Sequence, residues 1–264
     1  MKNTEDNPIY VIGFPKSGNT WLARLLADIT KSNMAVFSND DVVNAAGNSN
    51  NRKDGRLIYK LHDVGNTNNL QSDKVVYIVR DIRDVLVSAF FFSNKFVNQK
   101  SVRLENKSLS TKLWKVYFKS QIRRVNNNWG GGWLEILMNF IRGNKKNIGN
   151  WSYHVNYWAK QNRVVIVRYE DLLVDTENEL KKILYSLSLD ICDESIRTAV
   201  FNQSFKKKKE DFQNAGDKIN SNFLRNGKVG DWKNYFEPSL AEEIEKKHAV
   251  VMRRFGYELG YFGK

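Results

Sequence analysis

The chain has 264 residues, 41% of them apolar, which suffices to bury the core of a single α/β domain. Its 42 lysines and arginines outnumber 29 acidic residues, and the formal charge of +13 draws anionic partners: nucleotides, nucleic acid, acidic lipid or anionic metabolites. One cysteine and three histidines exclude an intramolecular disulfide and a cysteine-rich zinc site and point to a reducing compartment.

Residues 1 to 6 are polar and lack the apolar core of a secretion signal, so the expected location is cytoplasmic. Ile9 to Phe14 then reads as a buried strand, and Trp21, Leu22, Leu25, Leu26 and Ile29 recur on one face of a helix. A polar loop is expected over 38–56, and further strands over Leu57 to Lys60 and Lys74 to Val79. Helical spacing returns from Arg83 to Phe92, followed by expected loops at 94–111 and 126–132. The apolar cluster from Trp133 to Ile141 falls short of the roughly 20 residues that span a bilayer and reads as a core helix or an amphipathic lid, so no stable membrane insertion is expected. A strand over Arg163 to Arg168, a helix over Thr176 to Leu187 and a polar loop over 206–222 complete the pattern. Strands alternating with helices predict an α/β fold with a central parallel sheet flanked by helices. Neither an internal repeat nor a proline-rich linker divides residues 1–264, so one domain is expected.

Ligands of such sheets bind beyond the carboxyl ends of the strands, which directs attention to the turns after Phe14 and Val79. In the first turn, Gly13 to Thr20, the amides opening the following helix lack intrahelical acceptors and favour an anion. Gly18 permits close backbone approach, Lys16 supplies a point charge, and Ser17, Asn19 and Thr20 add short polar contacts. A nucleoside-triphosphate loop would place lysine directly after the last glycine with a hydroxyl beside it. Here Lys16 precedes Gly18 by two positions, an order that argues against an ordinary ATPase or kinase. A capping turn with an incidental lysine remains an alternative from this segment alone.

The run Pro15-Lys16-Ser17-Gly18-Asn19-Thr20-Trp21 resembles the 5′-phosphosulfate loop of the cytosolic-type sulfotransferase family, usually P-K-S-G-T-T-W, with Asn19 in place of the common threonine. The segment VVYIVRDIRDVLVSAFFF, 75–92, is similar to the family's 3′-phosphate segment and assigns that phosphate to Arg80 and Ser88. Without the family, Arg80 and Arg83 equally read as partners of Asp81 and Asp84 in an exposed charge cluster. FLRNGKVGDWKNYF, 223–236, resembles the C-terminal R-K-G-x-x-G-D-W-K signature and implies that Arg225, Asn226 and Gly227 meet the same phosphate, Asn226 standing where lysine is usual. Segments 164–173 and 203–210 match those around the adenine, which implies contacts from Tyr169, Ser204 and Phe205, with Trp21 facing the base as well.

The resemblance implies a donor, 3′-phosphoadenosine 5′-phosphosulfate (PAPS), that leaves as 3′,5′-diphosphoadenosine (PAP), and no metal. YKLHD, 59–63, resembles the family's K-T-H segment, so His62 is the expected base, with Asp63 placed to orient it; His154 and His248 fall outside that segment. Lys16 is expected to polarise the bridging oxygen, Lys60 to steady the transferring group, and Ser88 to tie 3′-phosphate binding to the position of Lys16. A P-loop-like sulfotransferase fold and a small-molecule acceptor, bearing a hydroxyl or an amine or guanidinium nitrogen, follow from the same resemblance, with no nucleic acid as partner.

The acceptor region matches poorly: 126–151 reads as an enlarged lid whose glycines permit movement. The animal dimer pattern K-x-x-x-T-V-x-x-x-E keeps its outer charges at Lys233 and Glu242 but carries Glu237-Pro238 in its middle, so the oligomeric state stays open; these departures resemble a bacterial-type member, a group that includes enzymes decorating secondary metabolites. Two other readings stand beside this one, a P-loop nucleotide kinase or hydrolase and a non-enzymatic polyanion-binding module.

Overall fold

The structure, a computed structural model, describes residues 7–35, 57–62, 64, 70, 72–97, 150–216 and 227–262. They fall into two compact units, one of Met1–Val79 with Tyr157–Gly227 and the other of Arg80–Asn156 with Lys228–Lys264.

The first unit holds the sheet. Strands β1 (Ile9–Gly13), β2 (Asn33–Ala35), β3 (Leu57–Leu61), β4 (Val75–Val79) and β5 (Val164–Arg168) are all parallel, in the order β2-β3-β1-β4-β5. The four predicted strands are present. The three-residue edge strand β2 is an addition, too short to show a period. Every residue of β1 and β4 is buried, as the unbroken apolar runs of central parallel strands require.

Helix α1 (Asn19–Ile29) lays Leu22, Ala23, Leu25, Leu26 and Ile29 on the core formed with Ile9, Val11, Ile58, Val76 and Ile78. After β5 come α4 (Tyr169–Val174), α5 (Thr176–Ser186), α6 (Asp193–Asn202) and α7 (Phe205–Asn214). Leu172, Leu180, Ile183, Leu184 and Ile196 from this group join the same core. Helix α7 corrects the loop expected from 206. None of its residues is buried, so no apolar period marks it, and it is held instead by the Ser204 hydroxyl, which accepts from the Lys207 amide at 3.4 Å.

The second unit contains α2 (Ile82–Val97), a 3₁₀ turn (Asp231–Asn234) and α8 (Pro238–Arg254). Helix α3 (Trp151–Ala159) begins in this unit and ends in the first. Helix α2 runs to Val97 and so takes in the first four residues of the loop expected over 94–111. Its Asp84 carboxylate accepts from the amides of Gly230 and Trp232 at 2.7 and 2.9 Å and so ties the glycine-rich turn to the helix.

Arg83 is buried, pairs with Asp81 and Glu245 at 2.6 Å each, and lies 4.2 Å over the Trp232 ring. That part of the charge cluster is therefore interior framework rather than exposed surface. The expected loops 38–56 and 126–132 and the apolar cluster 133–141 lie outside the described residues, as do 98–111 and 217–222. Among the described residues, no helix is long and apolar enough to cross a membrane.

Candidate active site

The strand order places the carboxyl end of β1 between those of β3 and β4, and register fixes what stands there. Ile12 pairs with Leu61, so Gly13 and His62 emerge side by side, while Gly13 is level with Ile78. The chain leaves β1 through a turn with two left-handed residues, Lys16 at φ 72° and Gly18 at φ 105°. A non-glycine residue in that region costs of order 1–3 kcal/mol and is kept where the surroundings enforce it. The turn is closed by the Ser17 amide, which donates to the Phe14 carbonyl at 3.1 Å, and it delivers the chain to the start of α1. Gly18 caps α1 without a side chain, which leaves the first-turn amides with no side-chain acceptor.

Ser17 stands between the two left-handed residues of this turn. It is fully buried, yet its hydroxyl finds no hydrogen-bond partner among the described residues. Burying such a group unpaired costs about 1–3 kcal/mol, a cost that an oxyanion seated on the turn would remove. Lys16 is half-buried beside it in sequence.

Two side chains from β3 reach the same turn. Lys60 Nζ donates to the Thr20 hydroxyl at 3.3 Å, which brings a second ammonium to the first turn of α1. His62 Nδ1 lies 2.9 Å from the Gly13 carbonyl and 2.9 Å from Asn19 Nδ2. Asn19 also donates to Gly13 O at 2.7 Å and to Leu61 O at 3.4 Å. Its side chain thus faces the strand ends. Asp63, expected to orient His62, lies outside the described residues.

An aromatic wall adjoins the turn. Trp21 meets Tyr169 edge-on at 5.8 Å between ring centroids, and a Cβ on Gly18 would lie 2.6 Å from the Tyr169 ring. Trp21 Nε1 donates to the Gln203 carbonyl at 3.1 Å. Gln203 is in turn held by Asp28, whose carboxylate accepts from Gln203 Nε2 at 3.1 Å and Asn202 Nδ2 at 3.2 Å. Ser204 is the cap of α7. Phe205, the next residue, packs under Gly227, where a Cβ would lie 2.9 Å from its ring. Asp28 escaped sequence reasoning, and Gly13 and Gln203 were given no role of their own although they open the two segments it singled out. The signal for Gln203 was its place at the head of the segment 203–210.

The structure therefore brings together Lys16, Ser17, Gly18, Asn19, Thr20, Trp21, Lys60, His62 and Tyr169 around one turn, with Ser204, Phe205 and Gly227 adjoining through Gln203. Arg225 and Asn226 lie outside the described residues. Arg80 and Ser88 belong to the second unit, half-buried just before α2 and within it respectively. The other two histidines are interior. His154 is fully buried, and His248 contacts Ser152 Oγ at 2.7 Å and the edge of Trp151. Burial, with a smaller contribution from the Lys247 charge, pushes His248 down to about 4.

The family model described as "Sulfotransferase domain" matches residues 6–256. Sulfotransferase 1A1 of Mus musculus is 32% identical over 133 residues, covering 46% of this chain and 45% of the relative; the match spans about half of that relative's length. The 3-beta-hydroxysteroid sulfotransferase of Cavia porcellus is 25% identical over 271 residues, covering 94% of this chain and 84% of the relative. In fold, the chain is similar to the crystal structure of mouse sulfotransferase SULT7A1 complexed with PAP, at a TM-score of 0.64 and 23% identity, covering 94% and 85% of the two chains. It is likewise similar to retinol dehydratase in a complex with retinol and PAP, at a TM-score of 0.59 and 17% identity, covering 97% and 84%.

Proposed function

The chain belongs to the sulfotransferase domain family, and on that premise we propose that it moves a sulfuryl group from PAPS to a hydroxyl, or to an amine or guanidinium nitrogen, of a small molecule. The observation that carries the reading is the placement of His62 beside a turn whose buried Ser17 hydroxyl lacks a partner among the described residues. The residues present fit the donor: main-chain amides and Ser17 for the 5′-phosphate, two ammonium groups for added charge, and the Trp21–Tyr169 edge with Phe205 for a base. Arg80, Ser88, Arg225, Asn226 and Gly227 take the 3′-phosphate on the strength of the sequence resemblance. The family match runs through both units and supports a single catalytic domain.

The bound donor supplies an electrophilic sulfur on a phosphate leaving group. His62 takes the acceptor's proton as the new bond to sulfur forms, so the nucleophile attacks without building positive charge. Lys16 neutralises the negative charge that gathers on the bridging oxygen as the old sulfur–oxygen bond breaks. Lys60, steadied by Thr20, compensates charge on the group in flight. The turn and the aromatic wall fix the donor so that attack is in line with departure. A single cysteine in the whole chain supports a cytoplasmic location.

Calorimetric titration separates this reading from a kinase or hydrolase built on the same turn. The full chain should bind PAP without added metal and at least tenfold more tightly than magnesium–ATP. Equal or tighter binding of magnesium–ATP, with its hydrolysis, would assign the turn to triphosphate chemistry instead.

A further inference from the structure

The Asn19 side chain is the feature of the site that the family pattern does not explain. In the resemblance, a threonine stands at this position in an anion-binding loop. In the structure, the carboxamide turns away from the amide cradle into the gap between two strand ends. It is 3% exposed, donates to Gly13 O at 2.7 Å and to Leu61 O at 3.4 Å, and touches His62 Nδ1 at 2.9 Å.

The orientation of the amide is fixed by its neighbours. Exchanging its nitrogen and oxygen would set two carbonyl oxygens 2.7 Å apart. In the observed orientation, Oδ1 finds no partner among the described residues and packs on Gly13, where a Cβ would lie 2.8 Å away. Gly13 O, Asn19 Nδ2 and His62 Nδ1 then form a nearly equilateral triangle with sides of 2.7, 2.9 and 2.9 Å.

That triangle decides the tautomer. Seen from Asn19 Nδ2, the directions to Gly13 O and to His62 Nδ1 diverge by only about 60°, whereas its two hydrogens diverge by about 120°. One hydrogen directed at Gly13 O leaves none directed at Nδ1; the second turns toward Leu61 O. A carbonyl oxygen with two lone pairs can accept from Asn19 and from an Nδ1–H together. An unprotonated Nδ1, by contrast, would face the Gly13 oxygen at 2.9 Å with lone pair against lone pair.

We propose that Asn19 is a positioning residue for His62: its carboxamide staples the ends of β1 and β3 through Gly13 O and Leu61 O and so holds the imidazole with Nδ1–H on the Gly13 carbonyl. Proton acceptance thereby falls to Nε2. The consequence for turnover rests on the sulfuryl-transfer reading, whereas the tautomer and the staple do not. A threonine hydroxyl, with one hydrogen, cannot donate to both carbonyls, so the staple belongs to this chain's asparagine.

The test compares the full-length chain with N19A and N19T in three measurements: PAP affinity by calorimetry, turnover from PAPS, and the long-range proton–nitrogen spectrum of the imidazoles, with His62 assigned by its absence in H62A. The wild-type ring should show the Nδ1–H pattern. In both variants, a ring released from the staple should sample both tautomers, kcat should fall about tenfold or more, and PAP affinity should stay within about threefold. An Nε2–H pattern in the wild type overturns the proposal even if no variant folds. So does a variant spectrum identical to the wild type, and so does a tenfold loss of PAP affinity without a spectral change, which would make Asn19 an anion donor. A wild type that neither binds PAP nor turns over PAPS defeats the sulfuryl-transfer reading while leaving the spectrum to decide the role of Asn19.

Discussion

Gly18 lies flat against Tyr169: a Cβ at position 18 would sit 2.6 Å from ring carbon Cδ2 and 3.0 Å from Cε2, on a backbone with φ +105°. Two independent costs therefore meet at one residue, a left-handed conformation that L side chains resist and an aromatic ring with nowhere to move cheaply. Gly18→Ala should lower the midpoint of thermal unfolding and reduce PAP affinity at least tenfold. An unchanged midpoint together with unchanged affinity would show that this turn is looser than its geometry states.

Under the proposed reading, Arg80 and the Gly13–Thr20 turn serve different phosphates of the donor. The resemblance assigns it to the 3′-phosphate, so Arg80→Ala should weaken PAP by the loss of a charge-assisted pair, about 1.5–3 kcal/mol or roughly 10- to 150-fold. Binding of adenosine 5′-monophosphate should stay within about twofold. Calorimetry with both nucleotides checks this, and a loss shared equally by the two ligands would move Arg80 to the 5′ end or to the framework.

His248 makes a prediction about stability rather than chemistry. Its imidazole, buried against Trp151 and Ser152, is pushed down to about 4 from the ordinary 6.5. Between those values the unfolded chain holds a proton that the folded chain refuses, so the folded state loses stability as pH falls from 6.5 toward 4. From pH 6.5 to 5 this amounts to about 2 kcal/mol. Denaturant unfolding of wild type and His248→Gln at pH 7 and pH 5 should show a smaller acid loss in the variant. Equal losses would mean that His248 ionises in the fold as it does in the unfolded chain.

The sheet was legible in the sequence because its central strands are buried on both faces and therefore read as short unbroken apolar runs bounded by turns. The turn proposed to hold an anion drew notice for a different reason, since a glycine and a lysine stand between a strand and a helix, and the structure gives both a left-handed backbone. Helix α7 was not. None of its residues is buried, so no apolar period exists to be read, and the Ser204 cap was the local sign. The Asn19–His62 contact was illegible because it joins residues 43 apart, through a register that only the paired strands reveal. The burial of Arg83 likewise depends on Glu245, 162 positions away. What the turn holds is written locally; what holds the turn is written in tertiary pairing.

The central claim, that His62 takes the acceptor's proton during sulfuryl transfer, is tested most directly by labelled sulfate. Turnover from labelled PAPS onto a panel of phenols, alcohols, amines and guanidines should be measured without added metal for the wild type and His62→Ala, alongside PAP affinity for both. The account predicts labelled product from the wild type, a fall of about 10²- to 10⁴-fold in the variant, and PAP affinities that agree within about twofold. Near-normal turnover by His62→Ala would contradict it.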